Sequence, residues 1–424
     1  MPRSPFQRRL LSIGARLLLA GASVGLLLSF FEAGLRLAGY RPIYEVYSKP
    51  SLLWQRDALL GWAHEPGASG MFVGPAPFPI EFETPIRINS LGLRGPEVEP
   101  LSEDGYRVML LGDSVVAAFE VAYEETFAAI VEERLNRRLD FPVQVLNAGV
   151  RGYGTDQSLL YYRERGRALE PDLVLLTHAR NDPENNVTLH RMRRRYGKPA
   201  FALDAGGSLS LVGHPIPEYP ICSARALDES YVPRRVDTRL SRGMCRLEMA
   251  LLDRSSLFTF FSQRVRRSPG IMRLLHDLGS PRREAALPGL RAAGFAPMDI
   301  GAGALVPEEE VKPPLGHDYA LTMALLIELA REVRADGAAF VLHISSEQLV
   351  RLDAAALAAN QVEVLIPKAV EGYENPALYH FENDGHFTPA GHRRVSLPIA
   401  KRIEARAREA RAEESARKLA TAVE

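Results

Sequence analysis

The distribution of apolar residues divides the chain into segments of different predicted structure. An apolar run occupies 10–31, and Arg16 is the charge that interrupts it. Residues 41–106 have no helical period and contain many prolines, glycines and aromatic residues, which predicts a stalk and a β-rich collar. From 107 to 403 short apolar runs alternate with stretches of helical spacing. This alternation predicts an α/β domain with a parallel sheet that is covered by helices on both faces.

Within this domain the apolar runs predict strands at 108–111, 143–146, 173–176, 339–344 and 362–366. Helices are predicted at 124–139, at 155–165 with Thr155 or Asp156 as N-cap, after Asp318 as N-cap, and after 389–391. The helix after Asp318 should bury one stripe of its surface, formed by Leu321, Leu325, Leu329 and Val333.

Two parts of the chain depart from the alternation. The pattern breaks down over 187–310, which predicts a large insertion into the α/β domain. Residues 404–424 are rich in Glu, Arg and Ala, which predicts a solvated, charged helical tail.

The N-terminal segment 1–40 has the features of a cytoplasmic stub and a transmembrane anchor. Arg3, Arg8 and Arg9 precede the apolar run, and basic flanks stay on the cytoplasmic side. About 20 apolar residues are needed to cross a bilayer as a helix, and Arg16 can snorkel to the interface so that the span becomes long enough. A cleaved signal peptide and a buried core helix are the alternatives, but no clear small-x-small cleavage site follows the run. Anchor and signal peptide would both place the rest of the chain outside the cytoplasm.

Composition narrows the possible partners. With 424 residues and 46% apolar composition, the chain can bury one large core with an elaborated lobe. Lys plus Arg (52) equals Asp plus Glu (52), so a net charge of zero provides no field that would attract nucleic acid. Cys222 and Cys245 match no metal spacing. They can pair in an oxidising compartment, or they can be two separate thiols.

Three polar blocks follow three successive predicted strands. Gly112-Asp113-Ser114 follows the first, 147–154 (NAGVRGYG) follows the second, and Asn181-Asp182 follows the third. The carboxyl ends of parallel strands meet at one edge of a sheet, so these blocks should converge there. A serine beside a glycine N–H and an asparagine amide has the donors that an oxyanion hole requires. The alternative is an ordinary strand-end turn with a capping serine, and a loop or helix cap at Asn181.

A candidate base follows the last predicted strand. His386 stands two residues after Asp384, which can orient one ring nitrogen while the other faces Ser114. His392 is the competitor, but it falls inside the predicted final helix. The histidines at 64, 178, 190, 214, 317, 343 and 380 are isolated and are interpreted as structural or surface residues.

Taken together, these blocks resemble the SGNH hydrolase superfamily, also called GDSL esterases, over about 107–187 and 318–403. The collar sequence at 88–95 and the block at 152–157 are similar to membrane-anchored bacterial members. The resemblance implies a three-layer α/β/α, flavodoxin-like fold. The sequence contains no metal or nucleotide motif, so no metal and no cofactor are expected. The resemblance also implies that Ser114 is the nucleophile and that Asp384 and His386 complete the triad. The Ser114 N–H, the Gly152 N–H and the Asn181 side chain would form the oxyanion hole.

Three positions depart from the usual family pattern. Ala118 and Arg180 stand where the family usually has glycine, and Asp384 precedes His386 by two residues instead of three. The shorter spacing resembles alginate O-acetyltransferase-like proteins. Arg180 is expected to bind an acidic group of the substrate or to pair with a neighbouring carboxylate such as Asp182.

The resemblance and the predicted export imply an esterase that acts on acyl groups, such as acetyl, of an envelope or exported polysaccharide. An O-acyltransferase would use the same residues, and a non-catalytic envelope protein with a degenerate site is a third possibility. The expected partners are an acylated carbohydrate and, through the N-terminal helix, the membrane. The sequence points to no nucleic acid and identifies no protein partner.

Overall fold

The computed structural model describes residues 5–38, 53–74, 81–190, 197–220, 222–223, 225–226, 239–267, 295–297, 305–307, 317–366, 376–382 and 384–423. Much of the predicted stalk and a large part of the predicted insertion lie outside these residues.

The described strands are β1 (Trp54–Asp57), β2 (Gly61–His64), β3 (Ser69–Gly74), β4 (Phe82–Arg87), β5 (Tyr106–Leu111), β6 (Val143–Asn147), β7 (Leu173–Thr177), β8 (Thr188–His190), β9 (Ala200–Leu203), β10 (Leu209–Val212), β11 (Arg225–Ala226), β12 (Phe295–Pro297), β13 (Leu305–Pro307), β14 (Ala339–His343) and β15 (Glu363–Leu365). The described helices are α1 (Pro5–Leu37), α2 (Ser114–Ala117), α3 (Phe127–Arg138), α4 (Thr155–Tyr161), α5 (Asp182–Val187), α6 (Arg239–Arg254), α7 (Ser256–Arg267), α8 (His317–Ala335), α9 (Ser346–Leu349), α10 (Ala354–Ala359), α11 (Pro376–Tyr379) and α12 (Pro389–Val423).

The centre of the molecule is a parallel sheet of five strands in the order β15-β14-β7-β5-β6. The chain enters the sheet at β5. Strand β6 pairs with one edge of β5, and β7, β14 and β15 follow in turn on its other edge. This is the doubly wound order in which ligands bind where the strand order reverses. The predicted parallel α/β fold is therefore confirmed, and all of its predicted strands are present within one or two residues.

Alternate residues of the strands enter two separate cores, one on each face of the sheet. Met109 and Leu111 of β5 pack with α4 and α8, whereas Val108 and Leu110 pack with α3 and α12. The predicted stripe of α8 is completely buried in the first core, so the three-layer arrangement is confirmed.

Two predicted helix starts are wrong. Helix α4 begins after Gly154, which is the N-cap and has no side chain, while Thr155 and Asp156 lie buried inside the first turn. A Cβ at Gly154 would lie 2.4 Å from Asn186 Oδ1 and 2.7 Å from Asp156 Oδ1, so close packing demands glycine there. Asp318 likewise lies inside the first turn of α8, which begins at His317.

The segment before the α/β domain forms two antiparallel hairpins, β1–β2 and β3–β4. These hairpins are the β-structured part of the predicted collar. In the insertion, Cys222 and Cys245 form a disulfide with a Cα–Cα distance of 5.6 Å, which decides between the two possibilities that the sequence left open.

Helix α1 differs from the other helices in its exposure. Its segment Gly14–Leu37 has a mean hydropathy of 1.8, and none of its most apolar window is buried. By length and composition it is sufficient to cross a membrane, a property that signal sequences share.

Candidate active site

The turn after β5 places Ser114 at the carboxyl edge of the sheet. Gly112 adopts φ +148°, and a Cβ there would lie 2.7 Å from Val116 Cγ2 and 2.9 Å from the Thr177 carbonyl oxygen. Asp113 then caps helix α2, because its Oδ1 accepts a hydrogen bond from the Val115 N–H at 2.9 Å. Ser114 becomes the first residue of this helix, where the backbone N–H has no partner within the helix.

The structure brings Ser114, His386 and Asp384 into one hydrogen-bonded line. The His386 Nε2 atom lies 2.8 Å from Ser114 Oγ, and its Nδ1 atom contacts the Asp384 carboxylate. Glu81 of the collar supports this loop, because its carboxylate accepts from the Asp384 N–H at 3.2 Å and from the Glu382 N–H at 2.9 Å. This is the geometry in which an imidazole can accept the proton of a serine hydroxyl.

The surrounding charges favour the protonated imidazole. Burial by itself lowers the pKa of His386, but the nearby charge of Glu120 and the hydrogen bond with Asp384 outweigh burial and raise it above its usual value. Burial raises the pKa of Asp384, but the hydrogen bond and charge of His386 hold it below its usual range. The pair is therefore arranged to stabilise the imidazolium that forms when Ser114 loses its proton.

Sequence reasoning missed Glu120, a second acid that lies beside the candidate base His386. Its buried carboxylate forms an ion pair with Arg151, and Oε1 lies 3.5 Å from His386 Nδ1. The other oxygen, Oε2, has no hydrogen-bond partner among the described residues. The available signal was a lone acid in the apolar stretch 115–121 (VVAAFEV), because an unpaired charge is costly to bury.

Glu120, Asp384 and His386 also form a group of potential metal ligands, with donor atoms within 4.8 Å of one another. Their donors are already engaged in other contacts. Arg151 neutralises Glu120, and the two ring nitrogens of His386 contact Asp384 and Ser114. The guanidinium would also repel a cation at this point. We therefore interpret the group as an acid–base cluster.

The three residues that are predicted to supply oxyanion donors follow the carboxyl ends of β5, β6 and β7. Within the part of the chain that the structure describes, neither the Ser114 N–H nor the Gly152 N–H donates to an acceptor. The Asn181 Nδ2 atom donates to Asp113 Oδ2 at 3.0 Å, which leaves its second hydrogen available. Gly152 adopts φ +80°, a conformation that favours glycine. These donors stay predicted oxyanion ligands.

The turn that carries the serine depends on a buried arginine of the collar. The Arg94 guanidinium donates to the carbonyl oxygens of Ala117, Ala118 and Val121. Ala118, where the resembling family usually has glycine, adopts φ 49° and ψ 46°, which costs a residue with a side chain about 1 kcal/mol. Burial lowers the pKa of Arg94 to about 10, so it still carries its charge at neutral pH. Arg94 therefore holds a turn that alanine would otherwise disfavour.

The two expectations for Arg180 separate in the structure. Its side chain is exposed next to Asn181, at the rim of the site. Asp182 is buried, 3.1 Å from His178 Nδ1, and accepts from the Ala179 N–H at 3.3 Å. No ion pair joins Arg180 to Asp182 in the described structure, so the predicted pairing is wrong: the carboxylate points into the protein. Substrate binding by Arg180 stays a prediction.

The competing histidine, His392, has a structural environment. It is buried, its Nδ1 atom accepts from the Phe127 N–H at 3.3 Å, and its ring stacks on that of Phe127 at 5.7 Å. Burial lowers its pKa to about 3, so the ring is neutral. The ring that faces Ser114 is that of His386.

Comparison with known proteins finds similar folds at low sequence identity. One is the crystal structure of TesA, at 12% identity and a TM-score of 0.34, covering 71% of this chain and 99% of that chain. A second is a lipase/acylhydrolase from Enterococcus faecalis, at 12% identity and a TM-score of 0.33, covering 71% of this chain and 96% of that chain. A third is a variant of Axe2, an acetyl xylan esterase from Geobacillus stearothermophilus, at 12% identity and a TM-score of 0.32, covering 70% of this chain and 94% of that chain. No family model matches the sequence, and no curated protein sequence matches it. At these identities the similarity concerns the fold alone.

Proposed function

We propose that this protein is a serine esterase that hydrolyses an acyl ester through an acyl-serine intermediate. The observation that carries the proposal is the 2.8 Å contact between Ser114 Oγ and His386 Nε2, with the opposite ring nitrogen held by Asp384. A partly buried serine–imidazole–carboxylate line at the ligand-binding edge of a parallel sheet supports nucleophilic chemistry.

In the proposed mechanism, Ser114 Oγ attacks the acyl carbon while its proton passes to His386 Nε2. The Ser114 and Gly152 N–H groups and the Asn181 amide stabilise the resulting oxyanion. When the intermediate collapses, the ester C–O bond breaks and the leaving alkoxide takes the proton from His386. Water then attacks the acyl-serine with His386 again as base, which releases the carboxylic acid and regenerates Ser114.

Hydrolysis is favoured over acyl transfer because the site admits solvent. Ser114 is only partly buried, and the His386 side chain retains 20% of its exposure. We propose O-acetyl groups of an envelope or exported polysaccharide as the substrate class. The resemblance to SGNH hydrolases and the predicted export of the domain support this choice. Release of acetate from an acetylated glycan, compared with transfer to an added oligosaccharide, distinguishes hydrolysis from transfer.

We also propose that α1 anchors the protein in a membrane with the catalytic domain outside the cytoplasm. The length and hydropathy of Gly14–Leu37 and the absence of buried residues in its most apolar window support an anchor. The arginines at 3, 8 and 9 support a cytoplasmic N-terminus.

A serine-directed organophosphonate tests the proposed chemistry. The probe should add covalently to Ser114, and mass spectrometry of the digested protein identifies the residue that carries it. Ser114→Ala should abolish labelling, whereas Ser90→Ala, which alters an exposed collar serine, should leave it unchanged. His386→Ala should slow labelling at least about 100-fold, because the hydroxyl loses its base. Equal labelling of the parent and Ser114→Ala would refute the proposal.

A further inference from the structure

The two helices of the insertion meet the end of the N-terminal helix. The Glu32 carboxylate of α1 accepts hydrogen bonds from the Ser256 N–H at 2.9 Å, the Leu257 N–H at 2.8 Å and the Ser255 hydroxyl at 2.9 Å. These N–H groups open helix α7, so Glu32 acts as an N-cap supplied by another helix. A carboxylate at this position also interacts favourably with the helix dipole.

The other insertion helix is tied to the same turn of α1. Arg36 pairs with Glu32 at 2.6 Å and donates to the carbonyl oxygen of Arg254, the last residue of α6. A cation at a helix C-terminus satisfies an otherwise unpartnered carbonyl. One turn of α1 therefore binds the C-terminal end of α6 and the N-terminal end of α7.

Upstream of this turn, α1 presents apolar side chains on all sides. Leu18, Leu26 and Phe30 are between 73% and 77% exposed. If α1 spans a bilayer, its lipid-facing length must end where the hydrogen-bonded charges of Glu32 and Arg36 begin. This contact fixes α6 and α7 at the level of the membrane surface.

Helix α6 exposes an apolar stripe next to this contact. Met244, Leu247 and Leu251 are 58%, 64% and 38% exposed, and their spacing of three and four residues places them on one face. Cys245 and Met249 are buried on a different face. The stripe ends one turn before Arg254, which contacts α1. The stripe therefore lies one turn along α6 from the contact with α1.

The same two helices are strongly basic in a chain that has no net charge. Together they contain seven arginines and two acids, which gives a net charge of +5 (7 − 2). A basic amphipathic helix with an exposed apolar face is typical of segments that lie in the interface of an anionic membrane.

We propose that α6 lies on an anionic phospholipid surface, with Met244, Leu247 and Leu251 inserted among the lipids. The proposal rests on the anchor assigned to α1 and not on the ester chemistry.

A consequence concerns the position of the active site. Helix α7 packs against β3 of the collar, and Phe72 of β3 lies under the Arg151 guanidinium at 4.8 Å. Phe82, on the other strand of that hairpin, packs on Phe381 of the catalytic loop at 5.2 Å. The site is thus held close to the membrane, where it can meet a substrate tethered to the bilayer surface.

The experiment uses the full chain in vesicles of phosphatidylglycerol and phosphatidylcholine whose acyl chains carry bromine, which quenches tryptophan fluorescence on contact. Leu247→Trp reports on the stripe, Arg246→Trp reports on the opposite flank of the same helix, and Leu27→Trp reports on the proposed span. The parent, whose Trp54 and Trp62 lie in the collar, supplies the baseline. A thermal unfolding curve that matches that of the parent confirms that each variant is folded, and Met244→Trp replaces Leu247→Trp if that variant does not fold.

We expect Leu27→Trp to be quenched, and Leu247→Trp to be quenched at least roughly threefold more than Arg246→Trp. Quenching of Leu247→Trp should fall in vesicles of phosphatidylcholine alone, because the arginines lose their attraction to anionic lipid. If Leu27→Trp is quenched but Leu247→Trp matches Arg246→Trp, the surface proposal is wrong and the anchor stands. If Leu27→Trp is not quenched, the anchor and the surface proposal both fail, while hydrolysis of a small soluble ester still reports separately on the proposed esterase.

Discussion

Two acid–histidine pairs lie beside the serine turn, and they differ in what surrounds them. In the first, Asp384 contacts His386 Nδ1 while Nε2 faces Ser114. In the second, Asp182 lies 3.1 Å from His178 Nδ1, and both side chains are almost completely buried. The hydrogen bond and the charge of His386 lower the pKa of Asp384 despite burial, whereas burial raises the pKa of Asp182 to about 6.

The difference shows that an acid next to a histidine does not by itself make a base. In the pair at His386, the ring nitrogen that does not contact Asp384 faces the Ser114 hydroxyl. A second acid, Glu120, lies nearby and favours the imidazolium. The pair at His178 lies where burial penalises the ionised carboxyl, so it suits a structural role between β7 and α5. The following predictions, in order of decreasing effect, test this contrast.

The largest effect should come from removing the charge of the catalytic acid. Asp384→Asn should lower kcat/KM for an ester by about 10³–10⁴-fold, because an amide neither fixes the tautomer of His386 nor stabilises its cation. The matched change in the other pair, Asp182→Asn, should alter kcat/KM by less than about threefold. Steady-state hydrolysis assays of the two variants make the comparison, and similar losses in both would show that the pairs share one role.

A smaller effect is expected from the second acid. Glu120→Gln should lower the maximal kcat by about tenfold, because the imidazolium loses a favourable charge. The pKa of His386 should also fall, since the charge of Glu120 raises it, so the acid limb of the pH–rate profile should move to lower pH.

Glu132→Gln is the control for this change, because it alters a half-buried carboxylate on α3 that bonds the Val145 N–H. If the acid limb of the pH–rate profile stays at the same pH in Glu120→Gln, Glu120 contributes only to packing. In a double-mutant cycle, coupling between Glu120→Gln and Asp384→Asn measures how far one acid replaces the other.

Substitution of Arg180 tests whether the exposed rim of the site, next to the His178–Asp182 pair, contacts the substrate. Because its guanidinium is exposed, a contact with an acidic sugar should be worth about 1 kcal/mol, or roughly fivefold in kcat/KM. Arg180→Ala should therefore reduce activity on an acetylated glycan with uronic acids and spare a small neutral ester. Arg180→Lys should keep part of the preference. Equal rates for parent and Arg180→Ala on both substrates would make Arg180 a solvated surface residue.

Asp182→Asn should have the smallest effect on catalysis, but it should change how the stability of the protein depends on pH. Burial raises the pKa of Asp182 from 3.8 to about 6, so the folded state holds the proton more tightly than the unfolded chain does. Parental stability should therefore decline as pH rises from about 4 through 6, by about 1–3 kcal/mol for this group. The Asn variant lacks this loss, so its Tm relative to the parent should be higher at pH 8 than at pH 4. A pH-independent Tm difference would contradict a buried, titrating carboxyl.

Sequence reasoning succeeded where the information is local. The strands at 108–111 and 173–176 and the buried stripe of α8 follow from the spacing of apolar residues, and the structure reproduces them. The polar blocks at the strand ends converge because parallel strands present their carboxyl ends at one edge. Helix starts were predicted wrongly where they depend on distant contacts. Gly154 rather than Thr155 caps α4, because a side chain at position 154 would collide with Asn186 on another helix.

The sequence by itself determined the parallel, helix-covered α/β fold and the set of residues that follow its strands, because both depend on short-range periodicity and on turn chemistry. Only the tertiary structure decided which groups complete the carboxyl edge of the sheet. Arg94 comes from the collar to hold the serine turn, and Arg151 and Glu120 meet beside His386. Glu32 caps a helix more than two hundred residues away in the chain. These contacts join segments whose approach depends on strand order and packing, and no spacing along the chain encodes that approach.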